Sequence, residues 1–324
     1  MPAIHASRES LPVFDPAIVR GALRPLEFSD FSVPTTPEQD YFAYYGLDFE
    51  NRGRGVVHHF GTLDAAGFRI ASHLFEPPRP RGTCVLLHGY FDHAGLFGKL
   101  IAHCLAKRYA VLVWDLPGHG LSSGPEASID SFESYVDVLT DVLDHHAPRL
   151  PAPLVGIGQS TGGAVLMAWA FRRRRLAAPC PFAGMVLLAP LVRPAEWTKV
   201  RVMHTLLKPF RDGIERTFME NSGDPDFLDF VQRDPLQSRR LPVRWVSAMR
   251  GWVADFLAEA PATDYAPRVI QGDADQTVDW RWNLARIREK FPAARIEILP
   301  GARHHLVNEA AGLRERVFSA MELP

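Results

Sequence analysis

Residues 153–171, PLVGIGQSTGGAVLMAWAF, set a short apolar run, a serine between glycines and a long apolar run end to end. Pro153 to Ile157 reads as a strand buried on both faces. The segment after Ser160 is apolar on nearly every side through Met167, Trp169 and Phe171, so it reads as a buried central helix. Gly158 and Gly162 leave room for a sharp turn between the two, which lifts the Ser160 side chain out of the sheet. A G-x-S-x-G match is weak alone, and the strand before it and the helix after it make it specific.

Outward from this stretch, short apolar runs alternate with helical patterns from about residue 55, as in a mostly parallel sheet covered by helices on both faces. Phe68, Ile70, Ser72 and Leu74 alternate as in a sheet. CVLL before His88, AVLVW before Asp115, MVLLA before Pro190, RVI before Gln271 and RIEIL before Pro300 read as strands buried on both faces. Leu96 to Leu105 and Phe132 to Leu143 carry amphipathic helical spacing, and Asp130 with Glu133 resembles a capping box for the second. Residues 192–262 hold helical patterns without a convincing strand and interrupt the alternation, so a helical cap is expected there. The expected organisation is an extension at 1–54, a core at 55–191 and 263–324, and the cap at 192–262.

A serine hydroxyl becomes a strong nucleophile when a base takes its proton, a carboxylate orients the base, and donors stabilise the oxyanion. The partners are expected in the order acid, then histidine, each just beyond a strand. Asp275, after RVI, and His304, after RIEIL, meet that requirement. Asp273 is an alternative acid, nearer the strand end and suited to a turn, and His305 is the alternative base. The oxyanion donors are expected to be the backbone amides of Thr161, at the positive end of a helix, and Tyr90, in His88-Gly89-Tyr90.

Other conspicuous groups have plainer readings. His88, Asp115 and His119 suit structural roles in turns. Arg172 to Arg175 read as a solvated helix terminus favoured by the helix dipole. HGYFDH, residues 88–93, partly matches a histidine and aspartate metal-ligand set, but Tyr90 stands where the second histidine would be, so neither metal nor cofactor is expected.

Composition narrows the class further. The 324 residues are 47% hydrophobic and 23% charged with a formal net charge of −1, which describes a globular chain without a global pull toward nucleic acid. A chain of this size buries roughly 75% of its unfolded surface, so it needs no disulfide framework. Cys84, Cys104 and Cys180 form no even framework and read as small apolar residues of a protein in a reducing compartment. The first residues, MPAIHASRESLPVFDPAIVRG, lack a basic start followed by an apolar run, so no secretory signal is expected and the cytoplasm is the expected location.

With these residues assembled, the chain resembles the α/β-hydrolase superfamily and, within it, the monoacylglycerol lipase and lysophospholipase group, also labelled serine aminopeptidase-like. The resemblance covers roughly residues 55–320. It rests on LLHGYFDHAG, VWDLPGHGLSSG, GIGQSTGG, QGDADQTVD and PGARHHLVNE in that order. It implies a triad of Ser160, Asp275 and His304, oxyanion amides at Tyr90 and Thr161, and a helical cap inserted between two late strands. Two departures stand out: many relatives carry glutamate directly after the histidine where this chain has His305, and the aromatic extension (Tyr41, Phe42, Tyr44, Tyr45) is not a general family feature.

The activity expected is hydrolysis of carboxylic esters, with acyl esters of glycerol or lysophospholipid type as small-molecule substrates. An amidase or peptidase with the same triad is the alternative, and a binding protein with an inert pocket is the non-enzymatic one. Trp197, Val200, Val202, Met203, Leu206, Leu207 and Phe210 supply an apolar surface beside Lys199, Arg201, Lys208 and Arg211. That surface is expected to pack over the pocket, and weak peripheral membrane contact is the second reading.

Overall fold

The computed structural model describes residues 14–28, 33–52 and 55–324. Residues 1–13, on which the expectation of no signal chiefly rests, and parts of the 1–54 extension lie outside the described residues. Two short helices come first, α1 (Pro16–Ala22) and α2 (Thr36–Tyr45). The sheet begins with β1 (Val57–Ala65), β2 (Phe68–Glu76) and β3 (Thr83–Leu87), and continues through α3 (Gly98–Ala106), β4 (Ala110–Trp114), α4 (Phe132–His146), β5 (Leu154–Gln159), α5 (Thr161–Arg175) and β6 (Phe182–Leu188). An excursion follows, built of α6 (Trp197–Leu207), β7 (Gly213–Glu215), α7 (Pro225–Arg233), β8 (Arg240–Pro242) and α8 (Val243–Ala258). The chain then returns with β9 (Arg268–Gly272), α9 (Trp280–Lys290), β10 (Arg295–Leu299) and α10 (Ala311–Ala320).

The eight-stranded sheet has the order β1-β2-β4-β3-β5-β6-β9-β10, antiparallel as far as the β2/β4 pair and parallel from β4 onward. Successive residues of a strand point to opposite faces, and β3 shows both sides of the core. Val85 and Leu87 join Val165, Trp169 and Phe256 on one face, while Cys84 and Leu86 join Tyr41, Leu100 and Val317 on the other. Burial on both faces explains why β3 to β6 are near-continuous apolar runs. Their carboxyl ends all open onto one edge, which is where an α/β sheet holds its ligand site.

Several expectations need correction. Strand β1 was not anticipated, because its sequence VHHFGTLDA carries two histidines and a glycine rather than clean alternation. A Cβ at Gly61 would come within 2.7 Å of the Leu26 backbone, and Thr62 exchanges backbone hydrogen bonds with Arg24 and Leu26, so the preceding segment lies against the strand there. Strand β10 is not buried on both faces: it is the sheet edge, and only Leu299 is fully covered. The 192–262 region does contain strands, since β7 and β8 form a two-stranded ribbon.

The cap of α4 is Ser131, whose hydroxyl accepts from the Glu133 amide, while Asp130 is exposed and paired with Arg244. The four arginines ending α5 are more engaged than a solvated terminus would be. Arg172 pairs with Glu133 and Asp137, Arg174 and Arg175 pair with Glu259, and Arg173 donates to the Pro179 carbonyl, so this end of α5 bridges α4 and α8. Cys84 and Cys104 are buried as expected of small apolar residues, but Cys180 is exposed. No helix among the described residues is long and apolar enough to cross a membrane.

Candidate active site

Ser160 sits at the end of β5 and caps α5 with φ 52° and ψ −109°, a conformation that costs a residue with a Cβ about 1–3 kcal/mol. The close approach of strand to helix holds it there. A Cβ on Gly158 would fall 2.5 Å from the Gly162 backbone, and one on Gly162 would fall 2.1 Å from the Leu87 carbonyl oxygen, so no larger residue fits at either position. The Ser160 amide donates to the Leu188 carbonyl at 2.8 Å, which ties the turn to β6.

Asp275 follows β9 and His304 follows β10. His304 Nδ1 donates to Asp275 Oδ2 at 2.8 Å, with both side chains buried. That bond leaves Nε2 as the ring's proton acceptor. Gln271 Nε2 also donates to Asp275 Oδ2, at 2.9 Å, and the Thr277 and Val278 amides donate to Oδ1 at 2.8 and 3.2 Å. Burial works against the Asp275 charge, but the adjacent His304 and these donors outweigh it and hold the carboxyl below its ordinary range. Burial likewise works against a charged His304, and the Asp275 carboxylate overcomes it, so the imidazole titrates above 6.5. The alternatives lie elsewhere. Asp273 accepts from the Gly301 amide in a turn, and His305 Nε2 donates to Asp92 Oδ1 at 3.1 Å.

Ser160, His304, Gly89, Tyr90 and Thr161 line one cavity of about 260 Å³. Thr161 is the first residue of α5 and has no acceptor within its own helix. Among the described residues no protein atom accepts from its amide or from that of Tyr90. The Tyr90 ring is fixed by stacking on Trp245, with centroids 3.6 Å apart, and by donation from its hydroxyl to the Ala127 carbonyl at 2.7 Å. His88, Asp115 and His119 are tied to the backbone, as structural roles require. His88 Nε2 accepts from the Leu116 amide and its Nδ1 donates to the Gly89 carbonyl, with burial pushing the ring down to about 3. Asp115 accepts from the Ala94 and Leu121 amides, and His119 Nδ1 donates to the Pro117 carbonyl.

Sequence reasoning missed the supports of this loop. Asp92 takes the Gly89 amide on Oδ2 while His305 holds its Oδ1, so a second carboxylate–imidazole pair braces the loop that carries Tyr90. Next to it, His93 Nε2 donates to Asp234 Oδ2 at 2.9 Å, and the Tyr45 hydroxyl donates to Asp234 Oδ1 at 2.6 Å. That pair joins α2 and the residue after α7 to the same loop. The sequence signals were the HGYFDH run, whose Asp92 and His93 serve these bonds, and the two departures from the family pattern, which supply His305 and Tyr45 as their partners. Of the seven apolar residues at 197–210, Val200 lines the cavity, whereas Val202, Met203, Leu206 and Phe210 face outward.

The model of the family described as serine aminopeptidase, S33, matches residues 78–311. The chain belongs to this family. It is an α/β hydrolase of the monoacylglycerol lipase-like group. It is 25% identical over 254 residues to a monoacylglycerol lipase of Mycolicibacterium smegmatis, covering 75% of this chain and 88% of that one. It is 28% identical over 261 residues to human monoglyceride lipase, covering 75% and 82%. A solved monoacylglycerol lipase of Paleococcus ferrophilus superposes with a TM-score of 0.66 at 22% identity, covering 78% of this chain and 97% of that chain, which is a likeness of fold. The S33 match spans every segment that carries the cavity described above.

Proposed function

We propose that this hydrolase cleaves carboxylic esters, with acyl esters of glycerol or lysophospholipid type as substrates, through an acyl-enzyme on Ser160. The observation that carries the reading is the Asp275–His304 bond of 2.8 Å opening onto the same cavity as the strained Ser160 turn. In this mechanism His304 Nε2 takes the hydroxyl proton as Ser160 Oγ attacks the ester carbonyl carbon. The oxyanion is held by the Tyr90 and Thr161 amides. Collapse breaks the ester C–O bond, and the departing alcohol takes the proton from His304. Water then attacks the acyl-serine, again giving its proton to His304, and the acid leaves as the proton returns to Ser160.

The substrate class is supported by the cavity walls. Leu191, Met219, Leu241, Trp245, Met249 and Val278 line it, and much of this wall comes from residues 192–262. We read that segment as a cap over the core at 55–191 and 263–324, with residues 1–54 as an extension. Acyl chains gain roughly 0.8 kcal/mol for each methylene buried, so kcat/KM for p-nitrophenyl esters is expected to rise about three- to four-fold per methylene until the cavity is filled, then fall. Steady-state rates across chain lengths check this, and a flat profile would contradict an acyl pocket. Better turnover of aminoacyl arylamides than of esters would favour the peptidase alternative.

The outward apolar residues of α6, and Phe210 just beyond it at 85% exposure, stand beside Lys199, Arg201, Lys208 and Arg211. An apolar face bordered by cations suits weak contact with anionic lipid. Phe210→Asp is expected to lower co-sedimentation with vesicles containing phosphatidylserine several-fold, and unchanged sedimentation would remove the membrane contact.

A further inference from the structure

The acyl-ester reading leaves one wall of the cavity unexplained. Apart from the Tyr90 phenol, its ionisable lining consists of Asp92, Arg216, His304 and His305. Asp92 has both oxygens occupied, by the Gly89 amide and by His305, and His304 holds Asp275. Arg216, just beyond β7, differs. Its guanidinium lies between two aromatic rings, 4.0 Å from the Phe91 centroid and 4.3 Å from that of Phe218. One nitrogen, Nη1, donates to Gln237 Oε1 at 2.6 Å and to the Ser238 carbonyl at 3.2 Å. Among the described residues, Nε and Nη2 have no protein acceptor and no carboxylate forms an ion pair with the group. Burial pulls Arg216 down to about 10, with Asp92 acting in the opposite direction, so it is still charged at neutral pH.

A half-buried cation with two nitrogens that lack a protein acceptor among the described residues, fixed in orientation by stacking on the wall of a largely apolar cavity, is completed by an anion rather than by a glycerol hydroxyl. The planar fork matches a phosphate or carboxylate in bidentate fashion, and the aromatic stacking means little freedom is lost on binding. We propose that Arg216 is a specificity-determining residue that selects esters carrying an anionic phosphate or carboxylate group away from the scissile bond. The proposal rests on the ester-hydrolase reading for the position of the scissile bond only.

A rival role exists on the same contacts. Phe91 follows Tyr90 and has φ 67°, so Arg216 stacked on it would also steady the loop that bears the Tyr90 amide. Selectivity separates the two, because a merely structural residue affects neutral and anionic ligands alike. The experiment measures Kd in the full chain bearing Ser160→Ala, so that no ligand is consumed. The ligands are octanoyl glycerol, octanoyl glycerol phosphate and the monomethyl ester of a dicarboxylic acid of similar length, each with and without Arg216→Gln or Arg216→Lys.

Arg216→Gln is expected to lower the preference for an anionic over the neutral ligand by about ten-fold or more, as loss of a charge-assisted pair does, and Arg216→Lys to keep part of it. The anionic ligand whose preference falls identifies the group as phosphate or carboxylate. Equal weakening of all three ligands, or an unchanged preference, would overturn the proposal. Wild-type turnover of the same esters is scored separately. Anion-selective binding without any Ser160-dependent hydrolysis would defeat the ester-hydrolase reading and leave the Arg216 site standing.

Discussion

Ser160→Ala is expected to lower kcat for p-nitrophenyl ester hydrolysis by about a million-fold, the loss found when the nucleophile of a serine triad is removed. The thermal midpoint is expected to move by no more than about 4 °C. The two halves of this expectation have different causes. The rate is expected to fall because alanine leaves no Oγ at the turn between β5 and α5 to attack the ester carbon, beside the imidazole that lines the same cavity. The fold survives because the turn is held by backbone contacts, the Ser160 amide to Leu188 and the close approach of Gly162 to Leu87, and none of these involves Oγ. Circular dichroism and calorimetry beside the kinetic assay separate the two. A variant that unfolds would place the structural weight on the hydroxyl instead.

Asp275→Asn is expected to cost about 10⁴-fold in kcat, because an amide nitrogen facing His304 Nδ1 favours the wrong tautomer and withdraws the acceptor lone pair from Nε2. The surroundings reinforce the loss. Gln271 and the amides of Thr277 and Val278 all donate to this carboxylate, and an asparagine offers them one acceptor oxygen in place of two. The pH profile carries the sign. In the wild type the Asp275 carboxylate outweighs burial and raises the His304 imidazole above 6.5, and the base must be neutral to act. The rate is therefore expected to fall as pH drops through an apparent value above 6.5. In Asp275→Asn the burial cost is no longer offset, so the residual activity should persist to lower pH. A limb that stays in place would mean that Asp275 does not set the histidine's charge.

What could be read without coordinates follows from how local each signal is. The turn at Ser160 is specified by neighbours in sequence, and so are the parallel strands β3 to β6, whose burial on both faces makes them continuous apolar runs. Asp275 and His304 were legible one step less directly, as residues just past strands whose carboxyl ends share an edge; the 2.8 Å bond between them spans 29 residues.

The misreadings have the opposite character. RIEIL looks the same whether a strand is central or last in the sheet, and only the sheet order makes β10 an edge. Ser131 and Asp130 both suit a helix start, and the choice between them depends on Arg244, far along the chain, drawing Asp130 away. The braces of the Tyr90 loop were out of reach for the same reason. Asp92 meets His305 across 213 residues, and Tyr45 meets Asp234 across 189. No spacing rule links such pairs. Arg216 belongs to the same class, since its significance lies in which rings flank it and in its having no ion-paired carboxylate among the described residues.

The proposed acyl-enzyme chemistry depends on Ser160 being the reactive hydroxyl, and covalent trapping tests that most directly. The folded protein is treated with a fluorophosphonate and digested, and the adduct is mapped by mass spectrometry. The expected result is one adduct, on Ser160 in the peptide containing GQSTGG, absent from Ser160→Ala and strongly reduced in Asp275→Asn. Ester hydrolysis that continues while Ser160 stays unlabelled, or label on another residue that tracks the loss of activity, would contradict it.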